Sequence, residues 1–199
     1  KGVKGALEGA FVPSQDDAVC TRRVEPETGE PYYGTDCAAN SEIGGVDHWI
    51  LHNLNTGVTP VKEMQIFDQL PVAGDQMLAT THGRGSDYRP VLDGTSIEWN
   101  LPEGDHEVTL EFTTSDDVCV GTWTQLREAD ATVCEQSGET WVGQDDVDDW
   151  SAVTGLRASI TFAGRGLEPG QEVNIRYSTT NVPNDGENGG ASVTVPVAD

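Results

Sequence analysis

Asp145, Asp146, Asp148 and Asp149 place four carboxylates within five consecutive positions, the densest set of potential ligands in the chain. Clustered carboxylate oxygens on a loop suit Ca²⁺, a hard cation that takes oxygen ligands. The run lacks the spacing, the internal glycine and the distal glutamate of an EF-hand loop. A solvated acidic loop is therefore the default expectation, with Ca²⁺ as the one candidate cofactor, at these four residues. Other reactive side chains are dispersed. His48, His52, His82 and His106 form no His-Glu-x-x-His pattern. Serine, histidine and aspartate all occur, but the Gly-x-Ser-x-Gly elbow of many hydrolases is missing. Gly83-Arg84-Gly85-Ser86 has no Lys-Ser/Thr after it and so is not a phosphate loop. No catalytic residue is assigned, and the chain is not expected to be an enzyme.

Cysteine is the second signal. Cys20, Cys37, Cys119 and Cys134 allow three pairings. Neighbour pairing, Cys20–Cys37 and Cys119–Cys134, is expected because each pair brackets a polar, turn-rich loop. Each closure would stabilise the fold by ~3 kcal/mol in the chain-entropy treatment. Neither pair has the short spacing of a structural zinc site. Paired disulfides point to an oxidising compartment outside the cytoplasm. Trp123, Trp141 and Trp150 lie in the cysteine-bracketed and acidic segments. They could stack on a sugar or cover loops that lack a core of their own; packing is the expectation. Trp49 and Trp99 fall in strand-like segments and are expected in the core.

The charge balance excludes whole classes of partner. Asp and Glu number 34 against 11 Lys and Arg, a formal net charge of -23. Phosphate backbones require a positive field, so nucleic acid is excluded as a partner, and anionic membranes would be repelled. The acidity fits a soluble surface protein, adaptation to high salt or Ca²⁺ loading. No apolar run approaches the ~20 residues of a spanning helix, so direct membrane insertion is not expected. The start of the chain reads as mature protein rather than as a signal peptide.

The elements that must position these residues read as strands. Residues 49–54 alternate, with Trp49, Leu51 and Asn53 on one face and Ile50, His52 and Leu54 on the other. Asn55-Thr56-Gly57 supplies turn chemistry, residues 61–67 resume an extended pattern, and Pro71 closes it. Val108, Leu110 and Phe112 share one face of 106–113. Leu156, Ala158, Ile160 and Phe162 share one face of 155–163, and Val173, Ile175 and Tyr177 one face of 172–179. A final strand is expected over 191–197. Asp93-Gly94 reads as a turn between two short strands, residues 1–10 as an edge strand, 11–41 as irregular and 135–149 as the least structured stretch. The only helical candidate is a short turn in 123–131. Many short strands with turn signals predict one all-β domain over residues 1–199: an antiparallel, Ig-like Greek-key β-sandwich with long disulfide-bracketed loop insertions.

Several of these segments carry a resemblance. Lys4-Gly5-Ala6-Leu7, the Cys20–Cys37 insertion, Gly45-Val46-Asp47-His48-Trp49 and Asn55-Thr56-Gly57 through Pro60 form its first half. Phe67-Asp68-Gln69-Leu70-Pro71 with Gly74-Asp75, then Arg84-Gly85-Ser86, Leu167-Glu168-Pro169-Gly170 and Tyr177-Ser178-Thr179, complete it. Together they resemble the β-sandwich stalk repeats of actinobacterial cell-wall-anchored surface proteins, similar to A-type collagen-adhesin modules. The resemblance implies an extracellular stalk or spacer at the cell surface or cell wall. Its partners would be neighbouring domains of the same chain, with a glycan or a host surface protein as a further candidate. The alternative it leaves is a carbohydrate- or host-protein-binding module using the loops around Cys119–Trp150. Related adhesin modules often carry a Lys–Asn cross-link promoted by a buried acid. The matching acid is Asp68, the matching lysine Lys4, and the asparagine nearest the last strand is Asn188. That strand, residues 191–195, contains no asparagine, so no cross-link is expected.

Overall fold

The computed structural model describes residues 1–7, 10–11, 22–24, 29, 31–33, 38–72, 89–115, 140–182 and 192–196. The described elements are antiparallel β-strands joined by turns, with two short 3₁₀ turns and no α-helix among them. Six strands form the first sheet, in the order β3 (Arg22–Val24), β4 (Pro31–Tyr33), β1 (Gly2–Lys4), β6 (Val46–Leu54), β12 (Glu172–Val182) and β8 (Arg89–Asn100). The second sheet has the order β10 (Val142–Gly143), β9 (His106–Thr113), β11 (Gly155–Phe162) and β7 (Glu63–Gln69). A three-stranded sheet joins β13 (Ser192–Pro196), β5 (Ala38–Glu42) and β2 (Ala10–Phe11).

Alternation in sequence becomes two layers in space, because successive strand side chains point to opposite faces. Register sets Val3 and Tyr177 beside Trp49, and Ile175 beside Leu51, on the inner face of the first sheet. Leu156 aligns with Phe112 and Ala158 with Leu110 on the inner face of the second. These two faces share one buried cluster that includes Val3, Trp49, Leu92, Phe112, Leu156 and Tyr177. The result is a sandwich in whose interior Trp49 and Phe112 are fully removed from solvent. The expected inward sets on β9, β11 and β12 are the observed ones.

Four expectations are corrected. The first strand is not an edge: β1 lies between β4 and β6. The stretch read as irregular, 11–41, contributes β4 to that sheet and β5 to the small one. Asp93-Gly94 does not separate two strands but lies inside β8. There residues 94–97 stand opposite Tyr177 alone, a bulge in the pairing with β12. Asp93 Oδ1 accepts from Thr95 N at 2.9 Å and from Thr95 Oγ1 at 2.7 Å, and Ser96 Oγ accepts from Ser178 N at 2.7 Å. Those polar contacts let the chain bulge without leaving the sheet. Trp99 is 44% exposed rather than core: it lies near the end of β8, which is the edge strand of its sheet. Within the acidic stretch, residues 142–143 form β10 and Gln144–Asp146 a 3₁₀ turn; a second 3₁₀ turn, Trp150–Ala152, follows it. The helical candidate in 123–131 lies outside the described residues.

Candidate functional site

Strand phase builds a charged cluster between the layers. On β7, Met64, Ile66 and Asp68 share the inner face, so the pattern that buries two apolar side chains also buries a carboxylate. On β1, Val3 points inward and Lys1 follows the same phase. The Lys1 Nζ lies 2.5 Å from Asp68 Oδ1, with the two side chains only 8% and 5% exposed. Tyr177, reaching inward from β12, donates its hydroxyl to Asp68 Oδ2 at 2.5 Å. The Lys1 ammonium also stands 4.3 Å from the centre of the Trp49 ring. Trp49 stacks on Tyr177 at 6.1 Å between centroids, and its indole N–H donates to Thr179 Oγ1 at 2.9 Å. One carboxylate thus joins three strands, β1 and β12 of one sheet and β7 of the other. A buried ion pair fixes geometry because removing either partner strands the other in low dielectric.

This arrangement corrects the assignment of the amine. Lys4 aligns with His48, on the face of β1 opposite Val3, so it cannot reach Asp68 in the interior. Lys1 takes that position instead. Asn188 lies outside the described residues, as do Cys20, Cys37, Cys119 and Cys134. The buried acid is named by the sequence only through the resemblance, since the extended pattern reads as ending at residue 67, whereas β7 continues to Gln69 and puts Asp68 in phase with Met64 and Ile66; Tyr177 was legible as an inward residue, but not as its hydrogen-bond donor.

The acidic segment is placed on the rim of the second sheet. Asp145 and Asp146 lie in an exposed 3₁₀ turn, and Asp148 is exposed. Asp149 caps the next turn, accepting from Ser151 N at 2.9 Å and Ser151 Oγ at 2.6 Å. The Ser151 hydroxyl, then its N–H, hold the Asp149 carboxyl below the usual carboxylate range. A cleft of about 230 Å³ opens beside Asp146, Asp148 and Asp149, with Phe112 and Val153 among its lining residues. Among the described residues, no group of three or more His, Cys, Asp or Glu side chains is placed to hold a metal ion.

Two of the loop tryptophans are engaged in packing. Trp150 meets Phe112 edge-to-face at 4.9 Å. It also fills the space above Gly94, where an added Cβ would come within 2.3 Å of its ring. Trp141 lies under the Arg157 guanidinium at 4.4 Å and meets Phe67 edge-on at 6.2 Å. Arg157 is in turn paired with Glu111 at 2.7 Å on the outer face of the second sheet. Trp123 lies outside the described residues. His48, His52 and His106 are dispersed: His48 meets Ser178, His52 pairs with Glu172 at 2.8 Å, and His106 bonds the Pro102 carbonyl. His82 is outside the described residues.

No known family, no curated protein and no solved structure matches this chain. Among the described residues, no helix is long and apolar enough to cross a membrane.

Proposed function

We propose that this chain is an extracellular structural or adhesive module of a bacterial surface protein, serving as a stalk or spacer rather than as an enzyme. The observation that carries the reading is the Lys1–Asp68–Tyr177 cluster on the first strand. Tension applied at that end acts on β1, which is hydrogen-bonded on both sides, to β4 and to β6. Its withdrawal also requires Lys1 to leave a buried carboxylate on the opposite sheet. Strands flanked on both sides and stapled through the core suit mechanical reach. An Ig-like Greek-key connectivity, with loops closed by Cys20–Cys37 and Cys119–Cys134, belongs to the same reading, as does a place at the cell wall among neighbouring domains. High net negative charge keeps such a module soluble and unaggregated.

The carbohydrate- or host-protein-binding alternative draws less support from the described loops. Trp141 and Trp150 are held by Arg157, Phe67, Phe112 and Gly94, the arrangement of aromatic side chains that cover a core. Force spectroscopy on a tandem array of this chain tests the stalk. High unfolding forces, lowered by Lys1→Met, are expected. Unfolding at forces no different from those of the variant would remove the mechanical role, and specific retention on a glycan array would favour the alternative.

A further inference from the structure

The turn between β6 and β7 is held firmly and carries an uncovered apolar side chain at its tip. Asn55 is buried and ties the turn down from within. Its Nδ2 donates to Thr59 O at 3.0 Å and to Leu167 O at 2.8 Å, and its Oδ1 accepts from Gly57 N at 3.0 Å. Backbone bonds add Asn55 N to Gln171 O at 2.9 Å, Gly170 N to Asn55 O at 2.8 Å, and a reciprocal pair between Val61 and Leu167. Val58 stands out from this fixed base at 93% exposure, while no other large apolar side chain among the described residues exceeds 44%. A loop ordered in advance loses little freedom on binding, so an apolar tip held this way is set for insertion into a partner.

A receptor of matching chemistry lies at the other end of the second sheet. The turn leads into Glu63, which shares a row with Thr161 and Glu107. The cleft of about 230 Å³ opens instead at Phe112 and Thr113, roughly 20 Å further along β9. Val142, Val147 and Val153 give it apolar walls, and Val142 is itself 37% exposed. Asp146, Asp148 and Asp149 also line it, all three exposed. Charge matches as well as polarity. Among the residues whose side chains are described, the exposed lysine and arginine are Lys62 and Arg165, and both sit at the Val58 end. Lys62 Nζ donates to Gly164 O, and Arg165, 87% exposed, lies 3.4 Å from Glu168. Two copies of a chain with net charge -23 meet most favourably where cations face carboxylates.

We infer that copies of this chain associate head to tail, the Val58 turn of one seated in the Asp146–Asp149 cleft of the next, with Lys62 and Arg165 set against its acidic rim. The two contact surfaces are different patches, so the association is heterologous. Each copy keeps one turn and one cleft for further partners, and growth gives a ring or an open filament rather than a closed dimer. Like net charge opposes the approach, so salt is needed to screen groups further apart than the Debye length, about 8 Å at 0.15 M. Association of this kind does not depend on the stalk reading, which concerns resistance to force within one copy.

Sedimentation velocity of the full chain over rising protein concentration, at about 0.15 M salt, tests the contact with two variants. Val58→Asp spoils the turn and Val142→Asp spoils the cleft; melting curves check that both still fold. The wild type is expected to grow beyond dimers as concentration rises. Each variant alone lacks one of the two surfaces and should stay monomeric. Mixed one to one, they should form a dimer and nothing larger, because the Val58→Asp copy keeps its cleft and the Val142→Asp copy keeps its turn. Val58→Ala removes about two methylenes of buried contact and should weaken wild-type association roughly tenfold. A wild type that stays monomeric, variants that associate as the wild type does, or a mixture that does not dimerise would overturn the head-to-tail contact. If either aspartate variant fails to fold, Val58→Ala decides, and an unchanged association constant overturns the contact. High unfolding forces in a protein that does not associate would leave the stalk reading standing and remove this contact alone.

Discussion

Replacing Lys1 by methionine separates the charge of the inter-sheet cluster from its packing. Methionine keeps the apolar stem against Trp49 but removes the ammonium that lies 2.5 Å from Asp68 Oδ1. Asp68, only 5% exposed, is then left with the Tyr177 hydroxyl as its identified hydrogen-bond donor. Breaking one side of a buried pair costs ~3–5 kcal/mol. The Lys1–Trp49 contact adds on the order of 0.5–2 kcal/mol where it is desolvated, part of which methionine restores. We expect a net loss of ~3–4 kcal/mol, which for a domain of this size lowers Tm by roughly 6–16 °C. Urea titration followed by Trp fluorescence gives the free energy, and calorimetry gives Tm. The triple variant Lys1→Met, Asp68→Leu, Tyr177→Phe removes every charge and hydroxyl of the cluster together. It should regain most of the loss, because a well-packed apolar replacement of a buried pair is often neutral or stabilising. A loss below ~1 kcal/mol for Lys1→Met would mean that the pair behaves as a solvated surface bridge, and the account of the clamp would fall with it.

Further outcomes follow from other contacts. Gly94→Ala drives a methyl into the Trp150 ring, and a loss of ~1–3 kcal/mol from overpacking is expected, with a change in near-UV dichroism as Trp150 shifts; an unaltered spectrum and melt would show that the bulge adapts freely. Glu111→Gln removes the partner of Arg157 on the outer face, where ion pairs contribute ~0–1 kcal/mol, so urea midpoints should barely move. Non-reducing peptide mapping of secreted protein should recover Cys20 with Cys37 and Cys119 with Cys134; cross-paired peptides or free thiols would contradict the proposed closures.

Much of the sandwich was legible from alternation alone. The inward sets Val108–Leu110–Phe112, Leu156–Ala158–Ile160–Phe162 and Val173–Ile175–Tyr177 were read directly, because a period of two fixes which side chains share a face whatever the strand pairs with. Asp68 entered only as the acid the resemblance implied; that β7 runs on through Gln69 and carries it in phase with Met64 and Ile66 is a finding of the structure. Pairing and layering were not legible, since they depend on contacts between residues far apart in the chain. Nothing local to Lys1–Ala10 states that β4 will cover its second edge, and nothing near Trp99 states that its strand will lie at the edge of the sheet. Gly94 looked like a turn because glycine and aspartate favour turns. In the fold its missing side chain instead makes room for Trp150, 56 positions later. Lys4 and Lys1 differ in sequence by three residues, an odd number, so a strand puts them on opposite faces; only the register with Trp49 decides which face is the interior. Local sequence thus fixed the alternation of each strand, while the assignment of partners to Asp68 was left to tertiary packing, which brings together groups separated by 67 positions for Lys1–Asp68.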